Sequence, residues 1–454
     1  MLRLHDTATG HVTELALREP GKVSLYVCGS TVYDVPHIGH GRFTLVFDIL
    51  RRYLEFCGLE VNHVSNVTDI DDKIIRRAND ESRDWRGVAS EYEIAWWEGM
   101  DALGALRPKS APHATDYIAE MITLVSQLVD REVAYETADG VYLSVSEVDG
   151  YGLLARQSLD SLRSGARVAV DEEKRSPLDF ALWKKAKPGE PTWDSPWGPG
   201  RPGWHTECVV MALGLLGEGF DLHGGGQDLA FPHHENERAQ AVALGLKFCN
   251  HWMHNGMVEV GGAKMAKSLG NFTTISELLT GTDPRAYRML VGRSHYRSPI
   301  EVTPETIGDA ERALDRLDAF ARRFADQIAA GRGADELDLA VRASFVKHMD
   351  DDLDTVGAVS VLFDAVRRGN AAADAGEHGT ALGLARTVIE LAGVLGIELA
   401  GGSKTDATEV RRLAERREEA RAARDFASAD ALRDEIVALG WNIEDTPAGP
   451  RLWR

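Results

Sequence analysis

The sequence has few cysteines, no long apolar run and little positive charge, and each shortage excludes a class of protein. The four cysteines, Cys28, Cys57, Cys208 and Cys249, are far apart in a chain of 454 residues, which is unlike a disulfide framework and fits a reducing cytosol. No apolar stretch is long enough to cross a bilayer, and the N-terminal residues lack the apolar core of a secretory signal. We therefore expect a cytoplasmic protein with no membrane partner.

The charge balance limits the nucleic-acid partners that the protein could have. There are 51 Lys and Arg against 71 Asp and Glu, for a formal net charge of -20. Because phosphate binding needs local Lys and Arg, this balance argues against a protein that coats nucleic acid. It is compatible with an enzyme that binds one RNA through a basic strip. The length and the 44% hydrophobic content predict a folded protein of roughly two to four domains.

The first part of the chain alternates in the manner of a nucleotide-binding α/β fold. Residues 22–28 predict a strand, residues 40–57 a helix with apolar residues at helical spacing, and LEVNHVSNVTD a second strand. Gly58 follows the helix and is expected to cap it. Further helices are predicted at 204–217 and 235–245, with a strand and a turn between them.

The segment PHIGHGR joins the first strand to the first helix. Free N–H groups and the helix dipole favour an anion at this position, and Gly39 and Gly41 let a ligand approach the backbone. His37 and His40 share a face of the first turn and could hydrogen-bond a phosphate on which charge builds up during attack. A glycine-rich loop with two incidental surface histidines is the alternative.

A second motif, GGAKMAKSLGN at 261–271, carries Lys264 and Lys267 between glycines. Two ammonium groups could neutralise the leaving pyrophosphate of a nucleotide, and a mobile loop could close only when ATP is bound. A solvated basic turn is the alternative.

Four scattered residues form a candidate metal site: Cys28, Cys208, His233 and Glu237. In a helix, His233 and Glu237 lie on one face because they are four residues apart. Sulfur, nitrogen and oxygen donors in this combination suit tetrahedral zinc. The spacing is not that of a zinc finger or ribbon, so buried core cysteines and a satisfied core histidine remain the alternative.

These motifs together resemble a known family. HIGH followed much later by KMAKS is similar to the two signatures of class I aminoacyl-tRNA synthetases, whose second signature reads KMSKS, so Ala266 replaces a serine here. The cysteinyl-tRNA synthetase family is resembled more closely, in order and along nearly the whole chain. The segments that carry this resemblance are YVCGSTVYDVPHIGH, NVTDIDDKII, GRPGWHTEC, HGGGQDLAFPHHENE, KMAKS and FASADALRDEIVALGW.

The resemblance implies an α/β fold in which a Rossmann-type parallel-sheet catalytic domain with an insertion precedes an α-helical bundle and a small C-terminal domain. The expected boundaries are 1–115 and 198–255 for the two catalytic halves, 116–197 for the connective insertion, 256–300 for the KMSKS-type loop and stem-contact region, 301–400 for the tRNA-binding bundle, and 401–454 for the anticodon-recognition domain.

The resemblance also implies the reaction. We expect ATP with Mg²⁺ to activate L-cysteine as cysteinyl-adenylate, and the cysteinyl group to pass to the 3′ end of tRNA(Cys). One Zn²⁺ ion per chain, held by Cys28, Cys208, His233 and Glu237, is expected to select the substrate thiolate over the hydroxyl of serine. An enzyme that transfers cysteine to an amino sugar is the alternative, but the long C-terminal region favours tRNA. We expect a monomer.

Other residues receive roles by their position near these motifs. His37, Gly39, His40, Lys264 and Lys267 are expected at ATP, together with Gly224, Gly225, Gly226 and Asp228 of HGGGQD, for which an ordinary glycine turn is the alternative. Gly29, Thr68 and Trp204 are expected in the amino-acid pocket, although a core tryptophan is equally compatible with the sequence.

The remaining expectations are less specific. Asp69 could reach the substrate amine, whereas Asp71 and Asp72 indicate a solvated helix start. His234 is either a partner of a metal ligand or only its neighbour. In the C-terminal region, a row of arginines and two tryptophans could read an anticodon, with a solvated, Glu-paired helix as the alternative. These residues are Arg411, Arg412, Arg416, Arg417, Arg421, Arg424, Trp441 and Trp453.

Overall fold

The structure is a computed structural model of the chain. It describes residues 2–158, 161, 174–260, 263–264, 272–330, 337–399, 404–423, 425–438, 441–446 and 449–453. The chain divides into two compact units. The first contains Met1–Leu314, Leu339–Asp364 and Glu390–Ile397, and the second contains Asp315–Asp338, Ala365–Ile389 and Glu398–Arg454.

The described residues form strands and helices along the whole chain. In chain order, the strands are β1 (Arg3–Asp6), β2 (His11–Glu14), β3 (Lys22–Val27), β4 (Glu60–Ser65), β5 (Ala134–Glu136), β6 (Gly140–Leu143), β7 (Phe180–Lys185), β8 (Gly200–Pro202), β9 (Phe220–Gly226), β10 (Cys249–Asn255), β11 (Val258–Val260), β12 (Ala263–Lys264), β13 (Ile300–Glu301), β14 (Asn442–Thr446) and β15 (Gly449–Trp453). The helices are α1 (Ile38–Phe56), α2 (Asp72–Asp80), α3 (Trp85–Ala102), α4 (Ile118–Asp130), α5 (Trp204–Leu216), α6 (Glu235–Ala243), α7 (Ile275–Leu279), α8 (Pro284–Gly292), α9 (Pro304–Arg323), α10 (Ala325–Ala329), α11 (Leu339–Met349), α12 (Thr355–Asp374), α13 (His378–Val394), α14 (Lys404–Ala422) and α15 (Phe426–Ala438).

A parallel sheet forms the centre of the first unit, with the strand order β10, β9, β3, β4. β3 is buried from Val23 to Val27, as expected for a parallel strand that is covered on both faces. α1 follows it and ends at Phe56, with Cys57 as its C-cap, after which Gly58 adopts a φ of +83° that favours glycine. The predicted strand, helix and strand are confirmed. Together they place the residue after β3, Cys28, at the carboxyl edge of the sheet, where ligands bind in such folds.

The segment between the two halves of the central sheet has its own antiparallel sheet, with the order β5, β6, β7, β8. α4 precedes it in the chain and shares its hydrophobic core. Trp183 on β7 is fully buried in that core. β8 pairs with β7 up to Pro202, so this sheet continues past residue 197, where the insertion was expected to end.

A small sheet with the order β12, β11, β13 carries the start of the lysine motif. In it the backbone of Lys264 pairs with Glu259, antiparallel. Lys267, Ala266 and the side chain of Lys264 lie outside the described residues.

The second unit ends with α14, α15 and the antiparallel hairpin of β14 and β15. A small apolar cluster joins these elements. Its buried members are Val410, Leu413, Ala414, Leu432, Ile436 and Ile443. Across both units, none of the helices in the described ranges combines the length and the apolar character needed to traverse a bilayer.

Candidate functional site

Four buried side chains meet at the carboxyl edge of the central sheet. Cys28 follows β3, Cys208 lies in α5, and His233 and Glu237 lie on either side of the start of α6. The two sulfur atoms are 3.6 Å apart, and Cys208 Sγ lies 3.7 Å from His233 Nε2. Glu237 Oε1 lies 3.2 Å from Cys28 Sγ and 2.8 Å from His233 Nε2. The structure therefore brings together the four residues that the sequence nominated as metal ligands.

The spacing of these donors fits one tetrahedral ion. At ordinary zinc bond lengths, two sulfur ligands stand about 3.8 Å apart, and a sulfur and a nitrogen about 3.6 Å. The observed separations of 3.6 and 3.7 Å match both. The contact of 2.8 Å between Glu237 and His233 is shorter than the roughly 3.3 Å of two metal-bound N and O atoms, since these groups pair directly here. The residues present thus fit a metal ion.

An overlapping donor set shares two of these residues. Cys28, His223, His234 and Glu237 also place one ligand atom each within 4.8 Å of the others. His223 Nε2 lies 3.6 Å from Cys28 Sγ and 2.8 Å from Glu237 Oε2. The contact between His223 and Glu237 has the distance but not the angles of a hydrogen bond. Within the described residues, Glu237 Oε2 is therefore buried without a hydrogen-bond partner. A buried carboxylate oxygen in this state is a suitable ligand for a cation.

Burial and mutual charge shift the pKa values of the cluster. Burial, together with Cys208, raises the pKa of Cys28, whereas the hydrogen bond from Cys28 lowers that of Cys208. Burial opposes the charge on Glu237, but the adjacent histidines hold its pKa well below the usual value. Burial likewise acts to lower the pKa of His233, yet the Glu237 carboxylate raises it to about 10. Protons shared within this network offset the negative charge of its thiol and carboxylate groups. A bound cation could neutralise the same charge instead.

Further histidines orient the cluster. His205 Nδ1 lies 2.8 Å from His233 Nδ1, which leaves His233 Nε2 facing Cys208. His234 Nδ1 is 2.8 Å from His254 Nε2, and His254 Nδ1 is 2.7 Å from the Thr7 hydroxyl. His234 is therefore part of a hydrogen-bonded chain and not only a neighbour. Sequence reasoning missed His205, His223 and His254, although the first two lie inside the WHTEC and HGGGQD motifs.

Trp204 and Thr68, two of the three residues expected in the amino-acid pocket, make different contacts near this cluster. The ring of Trp204 stacks on His233 with centroids 4.0 Å apart. Thr68 is buried, and its hydroxyl donates to Glu207 Oε2 at 2.9 Å and accepts from Asn66 Nδ2 at 3.1 Å. The Trp204 ring thus lies against the cluster, whereas the Thr68 hydroxyl is engaged within the protein. A role for either residue at the substrate stays a prediction. Sequence reasoning also missed Asn66 and Glu207.

Gly29, the third of these residues, is a site of close backbone contact. A Cβ added there would lie 1.6 Å from the carbonyl oxygen of Asn66. The Gly29 N–H also donates to Asn66 Oδ1 at 2.8 Å, and Asn66 Oδ1 lies 3.7 Å from Cys208 Sγ. Only glycine allows this approach, which holds the Cys28 loop against the end of β4.

The aspartates of NVTDIDDK have local partners. Asp69 accepts from the Thr115 N–H at 3.0 Å and from its hydroxyl at 2.6 Å. Asp71 caps α2 by accepting the N–H of Lys73 at 2.8 Å, which confirms the expected helix start. Asp72 pairs with Lys184 at 2.6 Å and also with Arg201.

His37 and His40 form a stacked pair at the start of α1. Each Nδ1 accepts the backbone N–H of the other residue at 3.3 Å, and the ring centroids lie 3.6 Å apart. Burial lowers the pKa of His37 to about 4 and that of His40 well below its usual value. Both imidazoles are therefore neutral at pH 7, and with Nδ1 accepting, the ring proton lies on Nε2. The pair offers two N–H donors at a helix N-terminus, where an anion is favoured.

The glycines of HGGGQD lie at the end of β9. A Cβ on Gly224 would lie 2.3 Å from the Phe47 ring, and one on Gly225 would lie 2.6 Å from the His234 ring, so both are needed for packing. A Cβ on Gly226 would meet Asp228 Oδ1 at 2.6 Å. Asp228 is exposed, and its charge acts on His37. Gly39 is half-buried in the first turn of α1. A role for these residues at ATP stays a prediction.

The arginine-rich helix α14 is partly paired with acid residues. Arg417 is buried and contacts Glu418 Oε1 at 3.0 Å, and Arg421 lies 3.4 Å from the same oxygen. Arg412 and Arg416 are exposed. The side chains of Arg411, Arg424 and Trp453 lie outside the described residues.

Comparison with known proteins defines the class to which this fold and site belong. Residues 14–312 match the model of the tRNA synthetases class I (C) catalytic domain, and residues 344–400 match the DALR domain. A Mycobacterium tuberculosis methionyl-tRNA synthetase in complex with methionyl-adenylate has the same fold, with a TM-score of 0.59 and 15% identity over 83% of this chain and 90% of that chain. The ternary LeuRS–tRNA–LeuAMS complex of Agrobacterium radiobacter K84 gives a TM-score of 0.63 at 11% identity, over 84% of this chain and 86% of that chain.

Relatives of similar length define the family within this class. The cysteine–tRNA ligase of Syntrophobacter fumaroxidans is 44% identical over 492 residues, covering 100% of this chain and 99% of the relative. That of Thioalkalivibrio sulfidiphilus is 46% identical over 465 residues and covers 100% of both. The chain belongs to the cysteine–tRNA ligase family of class I aminoacyl-tRNA synthetases.

Proposed function

We propose that this chain activates L-cysteine with ATP and Mg²⁺ and transfers it to tRNA(Cys), with zinc at the four-donor cluster selecting the substrate. One observation carries the proposal above all: Cys28, Cys208, His233 and Glu237 converge at the carboxyl edge of the sheet within the distances of a tetrahedral shell. The connection from β3 to α1, which contains Cys28, also leads to the histidine pair at the start of α1. One connection thus serves both the side-chain and the phosphate end of the reaction.

The side-chain end has to separate cysteine from serine. An apolar pocket distinguishes near-isosteres by only about 10–200-fold, whereas a discrimination of about 10⁴ requires about 5.5 kcal/mol. When bound, zinc would supply a Lewis acid that prefers a thiolate to a neutral hydroxyl. The chain contributes the fixed donors, because His205 orients His233 and Trp204 stacks over the same ring. We assign the ion to Cys28, Cys208, His233 and Glu237 because this set offers two thiolates, which favour zinc, whereas the overlapping set offers one.

At the phosphate end, the substrate carboxylate attacks the α-phosphorus of ATP. The neutral His37 and His40 donate Nε2–H groups to the phosphate as its charge grows. Lys264 and Lys267 hold the leaving pyrophosphate. No protein nucleophile is required, since positioning and charge stabilisation are sufficient. The terminal ribose 2′-OH of the tRNA then attacks the carbonyl carbon of the adenylate, which forms the ester to tRNA and breaks the bond to AMP, the leaving group.

The acceptor is tRNA and not a small amine. Relatives named cysteine–tRNA ligase match this chain through its C-terminal helices, a region that a small acceptor does not need. The exposed arginines of α14 supply positive charge that an RNA backbone would contact. Monomeric state and cytoplasmic location stay predictions from the sequence.

The test is ATP–pyrophosphate exchange, followed by transfer of labelled cysteine. We expect exchange with cysteine and not with serine, and transfer to tRNA(Cys) and not to an amino sugar. The Cys208→Ser variant should lose bound zinc as well as exchange, so that metal content provides a second readout. Transfer to the amino sugar alone, or cysteine exchange that persists with no zinc bound, would refute the proposal.

A further inference from the structure

Arg42 is a buried cation in α1, two residues after His40. It is 1% exposed, and among the described residues no carboxylate forms an ion pair with it. Its guanidinium instead donates to three backbone carbonyls: Nη1 to Met257 at 2.6 Å, and Nη2 to Tyr296 at 3.1 Å and to Ser298. Burial lowers the pKa of Arg42 to about 10, so the side chain remains charged at neutral pH.

The three carbonyls belong to the segments that lead into the small sheet of β11, β12 and β13. Met257 precedes β11, and the other two precede β13. The two segments pass very close to one another, because a Cβ on Gly256 would lie 2.5 Å from the carbonyl oxygen of Ser298. The Gly256 N–H also donates to the Tyr296 carbonyl at 2.8 Å. Arg42 therefore joins α1 to both lines of backbone at the base of this sheet.

The chain after the lysine motif is attached to the same end of α1. The Ile38 N–H donates to the Thr273 carbonyl at 3.1 Å, and the Ile275 N–H donates to the Pro36 carbonyl at 3.0 Å. Residues 261–271 are thus bounded on both sides by contacts to the beginning of α1. On the upstream side, Arg42 provides such a contact through its bond to the Met257 carbonyl.

A charged side chain at this position requires an explanation beyond packing. Burying a cation without a counter-charge is costly, and carbonyl dipoles offset only part of that cost. A guanidinium is nevertheless the side chain that can donate to several carbonyls in a fixed planar geometry. Arginine at this position is therefore suited to holding the β11–β13 sheet in a fixed position.

We propose that Arg42 is a positioning residue for the activation step: it holds the β11–β13 sheet, which carries the backbone of Lys264, against the end of α1 that carries His37 and His40. The inference rests on the proposed function and deepens it, because Arg42 itself touches no substrate. Misplacement of reacting groups by about 1 Å can cost on the order of 100-fold in rate. Loss of Arg42 should therefore affect the ATP side of the reaction and spare the cysteine side.

The experiment compares Arg42→Gln, Arg42→Lys and Arg288→Gln in cysteine-dependent pyrophosphate exchange, with ATP and cysteine varied separately. Arg288 is the matched control, since it is also 1% exposed and donates to the carbonyls of Leu103 and Gly104, but it lies on α8 and pairs with Asp48. We expect Arg42→Gln to lower kcat/KM for ATP about 10- to 100-fold, with KM for cysteine within about twofold. Arg42→Lys should recover part of this loss. Arg288→Gln should lower the melting temperature without a selective loss of kcat/KM for ATP.

A second variant reaches the same contact without changing Arg42. Gly256→Ala should separate the two backbone segments and reproduce the ATP-specific loss. The inference would be overturned, and Arg42 assigned to stability alone, if KM for cysteine rose as much as KM for ATP in the Arg42 variants. The same would follow if their loss in kcat/KM for ATP were no larger than in Arg288→Gln, or if both Arg42 variants failed to fold. Wild-type protein without cysteine-dependent exchange would instead refute the proposed function, so the two failures can be told apart.

Discussion

Replacing His37 by asparagine or by glutamine separates the roles of its two ring nitrogens. His37 Nδ1 accepts the His40 N–H at 3.3 Å, which leaves Nε2–H for a phosphate. Asparagine keeps an acceptor near the Nδ1 position but has no donor near Nε2, whereas glutamine places an amide N–H near Nε2. A hydrogen bond to a charged group contributes about 1.5–3 kcal/mol. We therefore expect His37→Asn to lower kcat/KM for ATP about 10- to 150-fold, and His37→Gln to lower it less.

The pH dependence of exchange tests the charge state of this pair. Because burial lowers the pKa of His37 to about 4, only about one molecule in a thousand is protonated at pH 7. The cysteine-dependent exchange rate should then show no titration of His37 between pH 6 and pH 8, measured with saturating cysteine. A rate that rises as the pH falls through 6.5, and that loses this rise in His37→Asn, would show that an imidazolium acts and would refute the reasoning.

Three further predictions follow from buried contacts. Burial lowers the pKa of His63 to about 3, and neither ring nitrogen has a hydrogen-bond partner among the described residues. Because the unfolded chain takes up this proton more readily than the folded protein, the free energy of unfolding decreases as the pH falls below 6.5. In denaturant titrations, the free energy of unfolding should therefore fall by about 2 kcal/mol less between pH 7 and pH 5 in His63→Leu than in the wild type. The same fall in both proteins would contradict this. Thr68→Val should lower the free energy of unfolding by about 1–3 kcal/mol, because it removes the hydrogen-bond donor to buried Glu207. An unaltered melting temperature would contradict this. Gly29→Ala should displace Cys28 and lower zinc content, so full zinc occupancy would count against that role.

Much of the fold was predictable, because its strongest signals are local. Apolar periodicity and Gly58 located α1 to within two residues, and the unexpected start at Ile38 arises because His37 caps the helix in a role usual for serine or aspartate. The extent of the antiparallel sheet was not predictable in this way. β8 pairs with β7 across a long, proline-rich stretch, and no local pattern reports such a pairing.

The candidate site was predictable only in part, for the same reason. The four donors were proposed from their residue types, but only the resemblance favoured a metal site over buried core residues, since their spacing alone is uninformative. The histidines around them are positioned by contacts between distant segments, such as that of Thr7 with His254. The role expected for Thr68 at the substrate stays a prediction, and its hydrogen bond to Glu207, a partner far away in sequence, could not be predicted from a local pattern.

The central claim is that the buried cluster of Cys28, Cys208, His233 and Glu237 holds a metal ion that recognises the substrate sulfur. The most direct measurement compares cysteine- and serine-dependent pyrophosphate exchange in zinc-loaded and zinc-stripped protein, with zinc content determined for each sample. We predict exchange with cysteine at least about 10⁴-fold faster than with serine in the loaded protein, its loss on stripping, and its return with added zinc. Normal cysteine exchange in protein that contains no zinc would contradict the account.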